Sequence, residues 1–480
     1  MAAESQPITA AGRSAHALLT RSYLTRLLGV LLALSTLNAA DQAILSVLAQ
    51  PIKEDLQLTD TQLGILQGLG FAVLWSVLGL PIGWLAERFS RKGLIALCAG
   101  VWSLMTTACA VSSSFLSLLV CRAGVGIGQA GFLPCSQSLL ADHFPARRRG
   151  SAMGILLLGS PFGFLLGQSI GGWAAGTWSW RAGFMVLGVP GLLAALLTWR
   201  TLEEPPRGLI EGSATAERTL PFRQVAKEIA SKSSFRHLLV ALSVSQFSMN
   251  AIAQFVLPFY LRGFHLPLAV IGTLFGAISF TSNGLGMLLG GFGFDRLARS
   301  DARWLVAGPA AVLVLATPLY WGAFASTRIG TSLACIWCAN LFLATYFAPT
   351  YAVVQNLVGP RMRATAAGIV GMVTGLLGMG LGPSVLGILS DFFARRAFAG
   401  GDFPASCPGG HAGAGTAAAL DAACREASML GLRHALTVIL IFFLWAAIHF
   451  LVAARSLRQE LYVPGAPGSS NRATEAHLHQ

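Results

Sequence analysis

Twelve stretches of about twenty predominantly apolar residues run along this chain, and no other property limits its fold so tightly. A helix needs about 20 such residues to cross roughly 30 Å of hydrocarbon, and windows of that length fall near 27–49, 62–85, 93–113, 116–140, 150–174, 181–200, 237–261, 267–293, 303–325, 331–357, 364–392 and 430–455. These windows are numbered below as spans one to twelve. With 54% hydrophobic and 11% charged residues and a mean hydropathy of +0.64, the chain is too apolar for soluble domains. Inside a bilayer every backbone polar group must be satisfied within its own segment, so the expected fold is an all-α membrane protein of twelve transmembrane helices.

The formal charge of +13 does not form a compact basic domain. Arg21 and Arg26, then Arg88, Arg91 and Lys92, then Arg147, Arg148 and Arg149, then Arg296, Arg299 and Arg303, then Arg361 and Arg363, then Arg455 and Arg458 fall on alternate connections. That alternation is a topology signal and not a nucleic-acid footprint; by the positive-inside rule it puts both termini in the cytoplasm. The connection 393–429 departs from the pattern with Arg395, Arg396 and Arg425, but the rule weakens in long loops. A cleavable signal peptide competes at Leu27–Ala40, where Asn38, Ala39 and Ala40 imitate a cleavage site. The apolar run resumes at Ala43–Ala49, so an uncleaved first span is expected.

Six of the eight cysteines, Cys98, Cys109, Cys121, Cys135, Cys335 and Cys338, lie in spans as small apolar side chains. Cys335 and Cys338 form a C-x-x-C with no partner ligands, which argues against metal or redox chemistry. Cys407 and Cys424 share the last outward loop, where an oxidising compartment permits a disulfide. The polar stretch after Arg200 is a linker between halves, with a short interfacial helix expected at Gln224–Ser231. The resulting division is a cytoplasmic tail 1–26, a six-helix bundle 27–200, a linker 201–236, a second bundle 237–456 with the outward loop 393–429, and a tail 457–480.

The halves echo each other. Gly83, Glu87, Arg88, Arg91 and Lys92 follow span two, and Gly291, Asp295, Arg296 and Arg299 follow span eight with matching spacing. The pattern G-x-x-x-[DE]-R-x-x-R resembles the signature loop of the major facilitator superfamily, with Glu87 in place of the more usual Asp. In this reading the glycine admits a neighbouring helix while acid and arginines pair across helix ends in one conformation and separate in another, Asp142 being the expected partner of Arg88. In span four, Arg122, Gly126, Gly128 and Ala130 match a second motif of the superfamily. The glycines crowding span five, from Gly154 to Gly172, read as close packing with a kink allowed by Pro161.

Within that superfamily the chain resembles the spinster-like transporters from about residue 24 to 460. The resemblance rests on Asn38–Asp41, Asp60–Gly64, Arg122–Gly131, the run from Ala141 through Asp142 to Pro145, Trp178–Phe184, Pro360–Thr365, Ser390–Asp391 and the Cys407–Cys424 loop. It implies secondary transport, with lipid-like or amphipathic substrates in animal members, and for a bacterial member the inner membrane. The chain departs from the group where Asp-Arg in span one becomes Asp41-Gln42 and Glu in span four becomes Gln129. Losing both charges of a buried pair is nearly neutral, whereas losing one costs several kcal/mol.

Asp41 and Arg122 remain, and an intramembrane charge is a functional candidate by default. At 1.5 Å per residue Asp41 lies about 22 Å above Arg26 and Arg122 about 10 Å below Phe115, so their depths nearly coincide. Gln129 is expected on the same face about 10 Å deeper. Pairing of Asp41 with Arg122 in one conformation is expected, with protonation of Asp41 freeing Arg122 for an anionic group; a static pair that orients helices is the alternative.

Gln246, Asn250 and Gln254 recur every four positions in span seven as a polar stripe, and Asn283, Asn340, Tyr346, Gln355 and Asn356 add polar positions in the second half. With Phe71, Trp75 and Phe255 they suggest an apolar path with sparse polar anchors, which suits amphiphiles better than sugars. The nine histidines form no metal-ligand set, and no nucleophile elbow or phosphate loop occurs, so neither an enzyme nor a cofactor is expected. Expected partners are a small-molecule substrate, lipid-like or an organic anion, protons as the coupling ion, and the bilayer, for a monomeric chain. An uncoupled facilitator and a transporter-like sensor are the competing readings.

Overall fold

The computed structural model describes residues 20–86, 88–206, 222–359, 362–413 and 416–461. Glu87, Arg361, linker positions 207–221 and most of both tails lie outside the described residues, as does the side chain of Asp295. Among the described residues there are helices and no strands. Twelve helical segments are long and apolar enough to span: Arg21–Asp55, Asp60–Gly79, Arg91–Cys109, Phe115–His143, Arg148–Thr177, Trp180–Thr201, Ser233–Phe264, Leu268–Ala298, Trp304–Ala325, Ile329–Asn356, Thr365–Ala397 and Ala418–Glu460.

Hydroxyl caps set many of the starts. Ser90, Ser114 and Ser179 accept backbone N–H groups of the first turn, and Thr59 with Gln62 forms a reciprocal capping box at span two. Five spans are interrupted: span two at Gly68, span four at Gly131, span ten at Tyr346, span eleven by a π-helical stretch Gly375–Gly380, and span twelve at Leu440. Such interruptions are tolerated in a membrane where neighbouring helices take up the released backbone groups, and hydropathy does not register them. Two boundaries move relative to expectation. The last loop is shorter than 393–429, since span eleven runs to Ala397 and a helix resumes at Ala418. Span one extends to Asp55 through Pro51.

Spans one and five pack over their whole length. Gly159, Gly163 and Gly167 face Ser35, Ala39 and Ala40 so closely that a Cβ would strike the facing helix, which fits the packing reading of these three, whereas a Cβ on Gly154 would meet nothing and close packing does not explain it. The polar helix Phe222–Ser231 lies where a short linker helix is expected.

The chain divides into two compact units. Among the described residues one comprises 20–206, 251–280 and 379–435, which adds parts of spans seven, eight, eleven and twelve to the first six; the other comprises 222–250, 281–378 and 436–461. The linker alone would have divided the chain differently.

Candidate functional site

Asp41 is 2% exposed in the core of the first unit, and three groups from two other helices converge on it. Thr106 donates to Oδ1 at 2.5 Å and Gln129 Nε2 donates to Oδ2 at 2.9 Å, while Arg122 Nη1 stands 3.5 Å from Oδ2. Arg122 is itself 2% exposed, and its guanidinium lies 5.4 Å from the centroid of Phe71, which stacks on Trp75. Among the described residues Arg122 Nε and Nη1 have no hydrogen-bond acceptor. The geometry is a loose ion pair whose carboxylate is well served by other donors and whose cation is not.

Gln42 and Gln129, the two positions where charges are replaced, touch. Gln42 Nε2 donates to Gln129 Oε1 at 2.8 Å and to Asn38 Oδ1 at 3.1 Å. Because the Gln129 amide accepts from Gln42 and donates to Asp41, its orientation is fixed, and two neutral amides relay polarity from span one through span four back to span one. Gln129 does not sit apart at greater depth: its side chain and that of Arg122, seven residues away, lean toward the same carboxylate. Thr106 is not distinguished in the sequence, because a threonine beside Thr107 in an apolar run carries no signal of its own.

The other path residues gather less completely. Tyr346, fully buried, donates to Ser245 Oγ and Gln246 Oε1 at 3.3 Å each. Asn250 donates to the Gln246 carbonyl of its own helix at 2.8 Å, and Asn340 accepts from Tyr320 at 2.6 Å. Gln254 belongs to the first unit, where its carbonyl accepts from Gln67 at 3.3 Å, whereas Gln246 and Asn250 belong to the second. Asn283 is half-buried and Gln355 exposed.

At the loop after span two, Arg91 and not Arg88 reaches Asp142. Arg91 is buried and also binds Glu204 at 2.7 Å and the Pro205 carbonyl at 3.2 Å, while Glu204 accepts from the Lys92 backbone and Lys92 Nζ donates to the Leu202 carbonyl. Arg88 instead lies 3.9 Å over the Trp84 ring. The close helix approach expected at the glycines is absent here, since a Cβ at Gly83 would meet nothing nearer than Pro134 at 4.0 Å and Gly291 faces open space. Close helix approach does not explain them in this conformation. In the echo after span eight, Arg296 and Arg299 are exposed, and the adjoining Asp301 pairs with Arg458 at 2.6 Å.

A second buried charge cluster, at the face opposite the arginine-rich connections, lies outside the sequence-derived site. Asp60 at the start of span two receives Arg262 Nη1 and Nη2 at 2.7 and 2.6 Å, Lys53 at 2.7 Å and Ser390 at 2.6 Å. Asp391 caps the same helix start, accepting from Asp60 N, Thr61 N and Thr61 Oγ1. Spans one, two, seven and eleven are thereby fastened at one end. Among the described residues no set of three His, Cys, Asp or Glu side chains is grouped to hold a metal ion.

The profile of the Major Facilitator Superfamily matches residues 31–401. The chain belongs to that superfamily. It is therefore a multi-pass membrane transporter and not an enzyme. An MFS-type efflux pump of Mycolicibacterium smegmatis is 29% identical over 370 residues, covering 76% of this chain and 83% of that protein. A hexuronate transporter of Bacillus subtilis is 26% identical over 371 residues, covering 74% and 85%. The crystal structure of a bacterial homolog of the human lysosomal transporter Spinster, inward-facing and unoccupied, superimposes with a TM-score of 0.83 at 29% identity, over 93% of this chain and 100% of that one.

In this major facilitator protein Cys407 and Cys424 are joined by a disulfide, S–S 2.01 Å, while Cys335 and Cys338 remain free thiols. The residues that sequence reasoning missed, Asp60, Arg262, Lys53 and Glu204, sit at helix ends, where a charge ordinarily signifies topology. Only the reach of Arg262 across to Asp60 marks them as more than that.

Proposed function

We propose that the protein is a secondary transporter that carries a small amphipathic or organic-anion substrate across a bacterial inner membrane by alternating access, with Asp41 as its proton site. The observation that carries this reading is the Asp41–Arg122 pair: an under-satisfied cation and a carboxylate held together out of water. An unpaired buried charge costs several kcal/mol, so Arg122 needs one negative partner at every stage. While Asp41 is ionised it fills that role. When Asp41 takes a proton, an anionic substrate group can replace it, and proton and anion then bind as a neutral set. Substrate and proton are coupled by charge balance alone.

Phe71 and Trp75 beside the guanidinium supply apolar surface for the rest of an amphiphile. Similarity to an efflux pump and a hexuronate transporter supports a small-molecule substrate, the latter with an anionic one. In this reading both termini are cytoplasmic, bundles 27–200 and 237–456 move about the path as a monomer, and the Arg91–Asp142–Glu204 knot closes and opens the cytoplasmic end.

The neutral Gln42–Gln129 contact favours one second reading, an uncoupled facilitator in which Asp41 only orients helices. Proteoliposome flux of a lysophospholipid and an organic-anion panel, with and without an imposed pH gradient, separates the two. Gradient-driven flux that disappears in Asp41→Asn establishes the coupled carrier; equal, gradient-independent flux in both proteins establishes the facilitator.

A further inference from the structure

The loop between spans eleven and twelve is a strap, stitched to span twelve by the Cys407–Cys424 disulfide and laid against the end of span one. Gly409 and Gly410 take φ of 68° and 90°, which a side chain would resist, and this turn brings the backbone onto Lys53: a Cβ on Gly410 would stand 3.4 Å from Lys53 Nζ. The next residue, His411, sits between two carboxylates. Its Nε2 is 3.1 Å from Glu54 Oε1 at the end of span one, and its Nδ1 is 3.6 Å from Asp421 Oδ1 in the first turn of span twelve.

From Glu54 an unbroken chain of polar contacts enters the buried cluster. Gln50 Nε2 donates to Glu54 at 2.7 Å, Arg262 Nε donates to Gln50 Oε1 at 2.8 Å, and Arg262 grips Asp60. The charged and titratable groups around His411 are Glu54 and Lys53 from span one, Arg262 and His265 from span seven and its end, and Asp421 and Arg425 from span twelve; most of them line one cavity of about 280 Å³.

We propose that His411 is a proton-operated clasp on this end of the transporter, resting on the alternating-access reading above. Histidine changes charge between about pH 5 and 8. A neutral imidazole carries one N–H and can donate to only one of the two carboxylates. An imidazolium donates from Nε2 to Glu54 while its positive charge also attracts Asp421, 3.6 Å from Nδ1, and so ties spans one and twelve across the strap. Acidification on the loop side therefore holds this end shut, and neutral pH eases it. Because the pairs are partly exposed, the change is modest, roughly two- to fivefold in the ratio of closed to open forms.

The test is a conformational one. Spin labels on the exposed positions Ser113 and Val270, in the full chain with its six free cysteines replaced and the disulfide kept, report the distance distribution by pulsed electron resonance from pH 5.5 to 8. The long-distance fraction is expected to rise two- to fivefold with pH in the parent protein, to be flat in His411→Gln, and to stay low at every pH in His411→Lys. Asp41→Asn is expected to keep the response, so failure of the Asp41 coupling reading leaves a distinct signature. Persistence of the full pH response in His411→Gln, or no response in the parent, overturns the proposal.

Discussion

Among the described residues two acid–arginine pairs are buried on both sides, and they are built differently. Asp60 and Arg262 meet through two short bonds, and each has further partners in Lys53, Ser390, Gln50 and Ser428. Asp41 and Arg122 stand 3.5 Å apart, with the guanidinium short of acceptors. A buried pair is stable only when its remaining donors and acceptors are satisfied, so the first pair is built as a fastening, and on the reading proposed above the second is a site awaiting a competitor. On that reading the same two residue types perform opposite tasks because of what surrounds them.

The largest expected effect breaks the fastening. Asp60→Asn leaves both Lys53 and Arg262 buried without their carboxylate and is expected to lower stability by about 3–5 kcal/mol, read as a fall in the thermal midpoint in detergent. Arg262→Met leaves Asp60 with Lys53 and is expected to fall less. If the two variants melt alike, the cluster is not the saturated lock described here.

Gln129→Glu sharpens the contrast from the other side. It places a second carboxylate against Asp41, and repulsion with loss of the donated hydrogen bond is expected to cost about 2–3 kcal/mol. Adding Gln42→Arg supplies the missing cation across the 2.8 Å contact and is expected to recover most of the loss. Additive damage in the double variant would show that the two amides are not a coupled replacement. A smaller change is expected for Arg122→Lys, which keeps the charge but loses the planar fork and its free N–H groups; transport efficiency for an anionic substrate is expected to fall about tenfold, while Asp60–Arg262 stability is untouched.

The two pairs were unequally visible in the sequence. Twelve spans follow directly from apolar length, and Asp41 with Arg122 stands out because a charge in mid-span is a functional candidate by default. Their equal depth followed from helix rise alone. Asp60, Lys53 and Arg262 lie at span ends, where the same residue types mark water or topology. The position of Asp142 at the inner end of span four makes Arg88 its expected partner, but the helix start at Ser90 turns Arg91 inward instead. The breaks at Gly68, Gly131 and Tyr346 leave hydropathy unchanged, and Thr106 gains meaning only once Asp41 is seen beside it.

The smallest expected effect belongs to a third acid–arginine pair, the exposed Asp301–Arg458, which tests whether burial or mere pairing sets these magnitudes. The Asp301 carboxyl is held below the usual carboxylate range, first by the Arg303 amide that donates to it and then by Arg458. A depressed acid lends its stability above its unfolded pKa, near 3.9 for aspartate, and loses it as pH falls through the lower folded value. Between pH 5 and 8 the contribution is therefore constant, and water screens it to little. Thermal melts of the parent and Asp301→Asn across that range are expected to run parallel and nearly coincide, converging further only below about pH 4. A clear separation at neutral pH, comparable to that of Asp60→Asn, would mean that pairing alone confers the strength assigned here to burial and saturation.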